Sequence, residues 1–177
     1  MNAPVPILTD RLILRPPVAA DADSIFRMAS SVAVTKYVGW PRHTTIQDTL
    51  DFLAFSDSEW KRWPAGPLVI ESRAAGALIG SSGLSFETPY RASTGYVFAE
   101  EVWGKGFATE ALRAVMRLAD GLRVRRLYAH CHILHSASAR VLERAGFERE
   151  GVLRKFLIFP NLGLDHPQDA FSYSWTR

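Results

Sequence analysis

The alternation of apolar and polar positions divides the chain into short elements of two kinds. Leu12-Ile13-Leu14 is an apolar run halted by Pro16-Pro17, which predicts a first strand. Asp21 to Ser30 opens with cap residues and predicts a short helix. Thr44 with Gln47 three residues on suggests a capping box, opening a second helix that carries Ile46, Leu50 and Leu53 towards Trp60. Leu68-Val69-Ile70 predicts a strand, Arg73–Gly76 a turn, and Ala77–Phe86 the returning strand of a hairpin. Glu87–Ala92, with Pro89, predicts the next turn. Gly95–Ala99 is a strand again, followed by a Gly-rich loop. Ala108, Ala111, Leu112, Val115 and Ala119 then mark one face of a helix from Phe107 to Ala119. Leu127–Ile133 predicts a strand and Ser136–Ala145 a helix ended by Gly146. Val152–Phe159 and Ala170–Trp175 predict closing strands. This order gives an α+β fold in one domain spanning 1–177. Its central sheet is mixed and mostly antiparallel, with helices on both faces.

Composition narrows the setting. The chain has 177 residues, 47% hydrophobic and 22% charged, with 21 Lys plus Arg against 18 Asp plus Glu. A formal charge of +3 is too small to argue for nucleic acid, but suits an anionic small ligand if the charge is local. The single cysteine, Cys131, excludes an intrachain disulfide and favours a reducing compartment. No window approaches a membrane span, and the start lacks the pattern of a leader peptide. A soluble, cytoplasmic protein is expected, with neither nucleic acid nor membrane as partner.

The chemistry concentrates in Tyr96-Val97-Phe98-Ala99-Glu100-Glu101-Val102-Trp103-Gly104-Lys105-Gly106-Phe107-Ala108-Thr109. A strand runs into a Gly-containing loop and the loop into an amphipathic helix. Gly104 and Gly106 allow tight turning and close approach. The first N–H groups of the helix have no internal partner, and its dipole favours an anion there. Lys105 adds charge. The loop is a candidate pyrophosphate site; taken alone, a Gly-rich turn without function is the plain alternative. A Walker motif is absent. A dinucleotide fingerprint is disfavoured, because Thr109 stands where a third glycine belongs and Arg123-Val124-Arg125-Arg126 occupies the region that should supply an acidic residue. A second stretch, His135-Ser136-Ala137-Ser138-Ala139-Arg140-Val141-Leu142-Glu143-Arg144-Ala145-Gly146-Phe147, puts Ser138, Val141, Leu142 and Ala145 on one helix face. Ser138 is thus a hydroxyl on an apolar stripe, where back-bonding to its own helix is the common use.

Together these blocks resemble the two signature segments of the GNAT N-acetyltransferases. Thr9-Asp10-Arg11-Leu12-Ile13-Leu14-Arg15-Pro16 and Glu150-Gly151-Val152-Leu153-Arg154 resemble the branch of ribosomal-protein N-terminal acetyltransferases, RimJ and RimL. The resemblance implies acetyl-CoA as cofactor and CoA as product. The acetyl group would pass by direct attack to a primary amine, either a protein N-terminus or a small molecule. It implies that Tyr96, Val97 and Phe98 offer backbone groups to the pantetheine arm. Gly104, Lys105, Gly106, Phe107, Ala108 and Thr109 would cradle the pyrophosphate, and an N–H near Val97 or Phe98 would meet the thioester oxygen. The sequence departs from the family in having Trp103 where Gln or Arg is frequent, and His135 where Asn contacts pantetheine. Leu142 stands where relatives place a proton-donating Tyr, and Ser138 resembles the serine that serves instead. Thiol leaving groups demand little, with a pKa of about 8.5.

Glu87 is the candidate base, with a solvated turn residue as the bland reading and a base acting through water as another route. His130, His132 and His135 have a spacing that metal sites use, but the same segment fits the acetyltransferase pattern, so no metal is expected. Cys131 points to the opposite face from His130 and His132 and belongs to the core. His43, beside Trp40 and Pro41, is expected to line the acceptor pocket. A homodimer is compatible with the chain's many aromatics. The rival functional class is a non-catalytic acyl-CoA-binding or regulatory module.

Overall fold

The computed structural model describes residues 6–163 and 165–177. Among the described residues ten strands form two five-stranded sheets, where the sequence predicted one. The first has the order β1 (Ile7–Leu8), β2 (Leu12–Arg15), β3 (Pro67–Ser72), β4 (Ala77–Gly83), β7 (Val97–Phe98). The second runs β5 (Ser85–Thr88), β6 (Arg91–Ser93), β8 (Arg126–His132), β10 (Gln168–Thr176), β9 (Glu148–Leu157). All pairings are antiparallel except β6 with β8. The α+β class with helices on both faces holds.

The predicted strand Ala77–Phe86 breaks at Gly83, whose φ of 144° turns the chain out of the first sheet. A side chain there would meet the Gly66 carbonyl oxygen at 2.6 Å. Beyond it, residues expected in a turn pair as β5 and β6, and the turn shrinks to Pro89-Tyr90.

The helices are α1 (Ala22–Ala29), α2 (Val32–Thr35), α3 (Ile46–Arg62), α4 (Phe107–Gly121) and α5 (Ser136–Ala145). Strand β3 explains their placement. Leu68 and Ile70 point into the main core with Leu112 and Val115 of α4, while Val69 packs on Ile25 of α1 and Leu53 of α3. A strand apolar on both sides needs a cover on each.

Two predicted caps differ in detail. Asp21 is not free to cap α1, because Arg15 grips both of its oxygens at 2.7 and 2.8 Å. At α3 the carboxylate of Asp48, not Gln47, accepts the N–H groups of Thr44 and Thr45 at 2.7 and 2.9 Å. Gln47 instead donates to Asp51 one turn on.

Candidate active site

The two sheets share one strand path and then part. β6 runs beside β8 as far as the bond from Thr94 N–H to the Tyr128 carbonyl, 2.9 Å. Past that point the chain leaves β8 and β7 pairs with β4. A wedge therefore opens between β7 and the second half of β8. The parity of the β4 pairing fixes which groups face it. Ala99 donates to Ile79 at 3.0 Å, and Val97 lies opposite Ser81, so these residues spend their polar groups on β4. Phe98 lies between them, and its N–H and C=O point away, into the wedge. Gly80 opposite permits this close seam: a Cβ there would lie 2.7 Å from the Phe98 ring.

The loop after β7 makes a short 3-10 turn at Glu100–Val102 and enters α4 through Gly104 and Gly106, at φ of 74° and 81°. Left-handed backbone of this kind favours glycine. Among the described residues, the N–H groups from Gly104 to Thr109 have no acceptor; the first helical bond is Glu110 to Gly106 at 3.1 Å. Six consecutive free donors at a helix start have the chemistry to cradle phosphate oxygens. Arg11 braces it from behind, donating to the Lys105 carbonyl at 2.9 Å and to Glu110 at 2.6 Å, with its guanidinium 4.4 Å over the Phe107 ring. Lys105 itself is exposed. Trp103 has a role its sequence position did not announce: its indole donates to the Phe98 carbonyl at 2.7 Å.

Across the wedge stands α5. The Tyr96 hydroxyl lies 2.9 Å from Ser138 Oγ and donates to the Ser138 carbonyl at 3.1 Å. Burial pushes the Tyr96 phenol well above its ordinary range, so it stays protonated. Ser138 also lies against Cys131, which is buried in the core as expected and whose thiol burial raises to about 11. Tyr96 and Ser138 thus form one pair, reached from the residue two positions before Phe98.

The other wall is aromatic. Tyr37, which the sequence did not single out, is stacked against His132 at 5.0 Å and His135 at 4.8 Å between ring centroids. Phe159 meets His132 edge-on at 4.8 Å. Burial lowers the pKa of His132 and of His135, leaving neutral imidazoles at pH 7. The His135 ring therefore lies on Tyr37, while its carbonyl caps α5. His43 is half-buried, its Nδ1 2.8 Å from Thr49 Oγ1 and its ring 5.5 Å from Trp40. Asn161 ties this segment down, donating to the carbonyls of Thr35 and Trp40 at 2.8 and 3.0 Å.

Glu87 stands on β5 rather than in a turn. Tyr128 donates to it, and Arg91 pairs with it at 2.6 Å. The Tyr128 bond is the main reason its pKa lies below the ordinary value. His130, nearby, packs between Tyr128 and Phe156 and is also held neutral by burial.

The comparisons with known proteins agree with this geometry. The acetyltransferase (GNAT) domain family matches residues 11–148. The uncharacterized N-acetyltransferase YoaA of Bacillus subtilis is 34% identical over 161 residues, covering 86% of this chain and 88% of that protein. The crystal structure of a GNAT acetyltransferase from Bacillus anthracis superposes with a TM-score of 0.82 at 23% identity, over 96% of this chain and 97% of that one. RimJ of Mycobacterium smegmatis, solved with CoA-disulfide, superposes with a TM-score of 0.83 at 20% identity, over 99% and 90% of the two chains. The likeness of the structures is one of fold; with the family match across the cradle and Ser138, it makes this chain a member of the GNAT acetyltransferases.

Proposed function

We propose that the protein transfers an acetyl group from acetyl-CoA to a primary amine by direct attack in a ternary complex, with chain 1–177 acting as one domain. Acetyl-CoA is the cofactor of this family. One observation supports the reading: the unpaired N–H run of Gly104–Thr109 follows an open strand edge at Phe98, and Tyr96, two residues before that edge, lies 2.9 Å from Ser138 Oγ. Gly104, Lys105, Gly106, Phe107, Ala108 and Thr109 bind the pyrophosphate through main-chain donors. Tyr96 and Phe98 flank the pantetheine slot, with Val97 holding the strand to β4. The Phe98 N–H stabilises the negative charge that develops on the acyl oxygen. Ser138, positioned by Tyr96, donates a hydrogen bond to the departing sulfur, and His135 closes the slot from the start of α5.

The acceptor enters along the wall of Tyr37, His132 and Phe159. Glu87 receives the amine's surplus proton through water. It is a weak base, and an α-amine with a pKa of roughly 7.7–8.0 asks little of it. Replacing Glu87 with Gln is therefore expected to lower kcat only a few-fold. No helix among the described residues is long and apolar enough to cross a membrane. A cytoplasmic setting, where CoA thiols stay reduced, fits the single buried Cys131. A homodimer across β9 fits too: it is a ten-residue edge strand with Val152 and Phe156 exposed. Light scattering reads that directly.

The reading is tested by melting the protein with excess acetyl-CoA and, separately, NADH. A ligand held only by the folded state at about 100 times its dissociation constant adds roughly 2.7 kcal/mol. Stabilisation by acetyl-CoA alone is expected; no shift from a protein shown by mass spectrometry to carry no CoA overturns the reading.

A further inference from the structure

Strand β9 breaks its register just past the rung His132–Ala170–Leu153. Leu153 pairs with Ala170 and Leu157 with Gln168, so Arg154, Lys155 and Phe156 all stand against the single residue Asp169. Lys155 takes up the extra length in left-handed backbone, at φ 46°. A lysine is strained there and a glycine would not be. The Asp169 carboxylate fixes the bulge by accepting the Lys155 N–H at 2.8 Å. Asp169 thus anchors the main chain rather than the ammonium. Among the described residues, the Lys155 side chain pairs with no carboxylate.

Bulges beside active sites commonly re-aim one side chain. Here Lys155 borders a cavity of about 310 Å³ that His132, Leu134, Gln168 and Asp169 also line. His166 lies on it too, with its Nδ1 3.2 Å from Asp165 Oδ1. His132 belongs both to this cavity and to the aromatic wall, where it stacks on Tyr37. A molecule whose amine lies along that wall therefore has the Lys155 ammonium one side chain away. A cation so placed attracts an anionic group carried beside the amine and repels a second ammonium.

We propose that Lys155 is a specificity residue for the acceptor and binds a carboxylate carried by the amine substrate, so that carboxylate-bearing amines are preferred to neutral amines and polyamines. The inference rests on the acetyl-transfer reading of the site.

The test is steady-state thiol release at saturating acetyl-CoA with alanine, aspartyl-alanine amide, alaninamide and putrescine as acceptors. Alanine carries a main-chain carboxylate, and aspartyl-alanine amide a side-chain one, as at an acidic protein N-terminus. The other two carry none. At least one carboxylate-bearing acceptor is expected to show a KM about tenfold below that of alaninamide, since charge-assisted hydrogen bonds are the strong kind. Which of them does so identifies the source of the carboxylate. Lys155→Met should bring the acceptors within about twofold, by raising KM for the carboxylate-bearing amine, whereas Lys155→Arg should keep most of the preference. Lys155→Gly should lose the preference as Lys155→Met does, yet melt no lower than the unaltered protein, because the backbone strain goes with the side chain. Equal KM values in the unaltered protein, or a preference that survives Lys155→Met, overturn the subsite and leave acetyl transfer standing. Binding of acetyl-CoA with no thiol release to any of the four acceptors overturns both.

Discussion

Between Gly104 and Thr109 the atoms proposed to face a ligand are main-chain N–H groups; around Tyr37 they are rings contributed by residues far apart, Tyr37 just after α2 and His132 at the end of β8. The first region is contiguous in sequence and fixed by two left-handed glycines and a helix start. The second is assembled from residues far apart, and burial governs its chemistry. Backbone donors cannot be removed by changing a side chain, but their geometry can be spoiled. Side-chain walls can be removed one ring at a time. The donor loop should thus fail through conformation and the acceptor wall through composition.

The largest effect expected on the donor side is from Gly106→Val. A branched residue at φ 81° bears about 1–3 kcal/mol of strain, and relief of that strain pulls the N–H groups out of line. Acetyl-CoA affinity should fall roughly ten- to hundredfold by calorimetry. Retained affinity would mean that the cradle is not made by the backbone.

Tyr37→Ala tests the other wall. Each aromatic stack is worth about 0.5–1.5 kcal/mol beyond burial, so removing the ring between two imidazoles should raise the acceptor KM roughly tenfold. Acetyl-CoA affinity should hold. Equal losses for both ligands would merge the two regions into one and end the contrast.

Trp103→Phe should produce a smaller change of opposite sign. The indole occupies the Phe98 carbonyl that faces the wedge. A net hydrogen bond of about 0.5–1.5 kcal/mol no longer competes in the variant, so acetyl-CoA should bind about two- to tenfold more tightly. Weaker binding would make Trp103 part of the slot rather than a competitor for it.

The smallest effect is on stability. Burial lowers His43, His130, His132 and His135 below their ordinary pKa of 6.5. The unfolded chain then binds more protons than the folded one below about pH 6.5, so the stability they contribute is full above that pH and is lost as pH falls through the folded values. The melting temperature should drop between pH 7.5 and 5.5, and drop less in His135→Asn. A rise on acidification would contradict the burial of these rings.

The donor region was legible because its determinants are local. Gly104, Gly106 and the α4 stripe lie within one stretch, and so do Ser138 and its helix. The wedge was not legible, since it depends on which residue ends the β6–β8 pairing, and Thr94 bears no mark of that. Tyr37 follows α2, which at Val32–Thr35 is too short to show a helical period, and only the fold brings it to His132. Glu87 was named as a candidate from the sequence, but its surroundings were not legible: Tyr128, which hydrogen-bonds to it, is distant in sequence. Arg11 could have been found, because Thr9-Asp10-Arg11 carried part of the family resemblance and its partner Glu110 directly follows the Gly-rich stretch that ends at Thr109. The split of Ala77–Phe86 turned on Gly83 alone, a glycine whose meaning required its contact with Gly66.

The central claim is acetyl transfer from acetyl-CoA to an amine, and the most direct measurement follows thiol release from acetyl-CoA. Peptide α-amines, polyamines and amino acids would serve as acceptors, with mass spectrometry of acceptor and protein. The account predicts amine-dependent thiol release, an acetylated acceptor, no acetylated enzyme, and a rate lowered on the order of tenfold by Ser138→Ala, the loss of one hydrogen bond to a charged group. Tight binding of acetyl-CoA without thiol release on any of these amines would contradict it, and would make the protein an acyl-CoA-binding module built on a transferase fold.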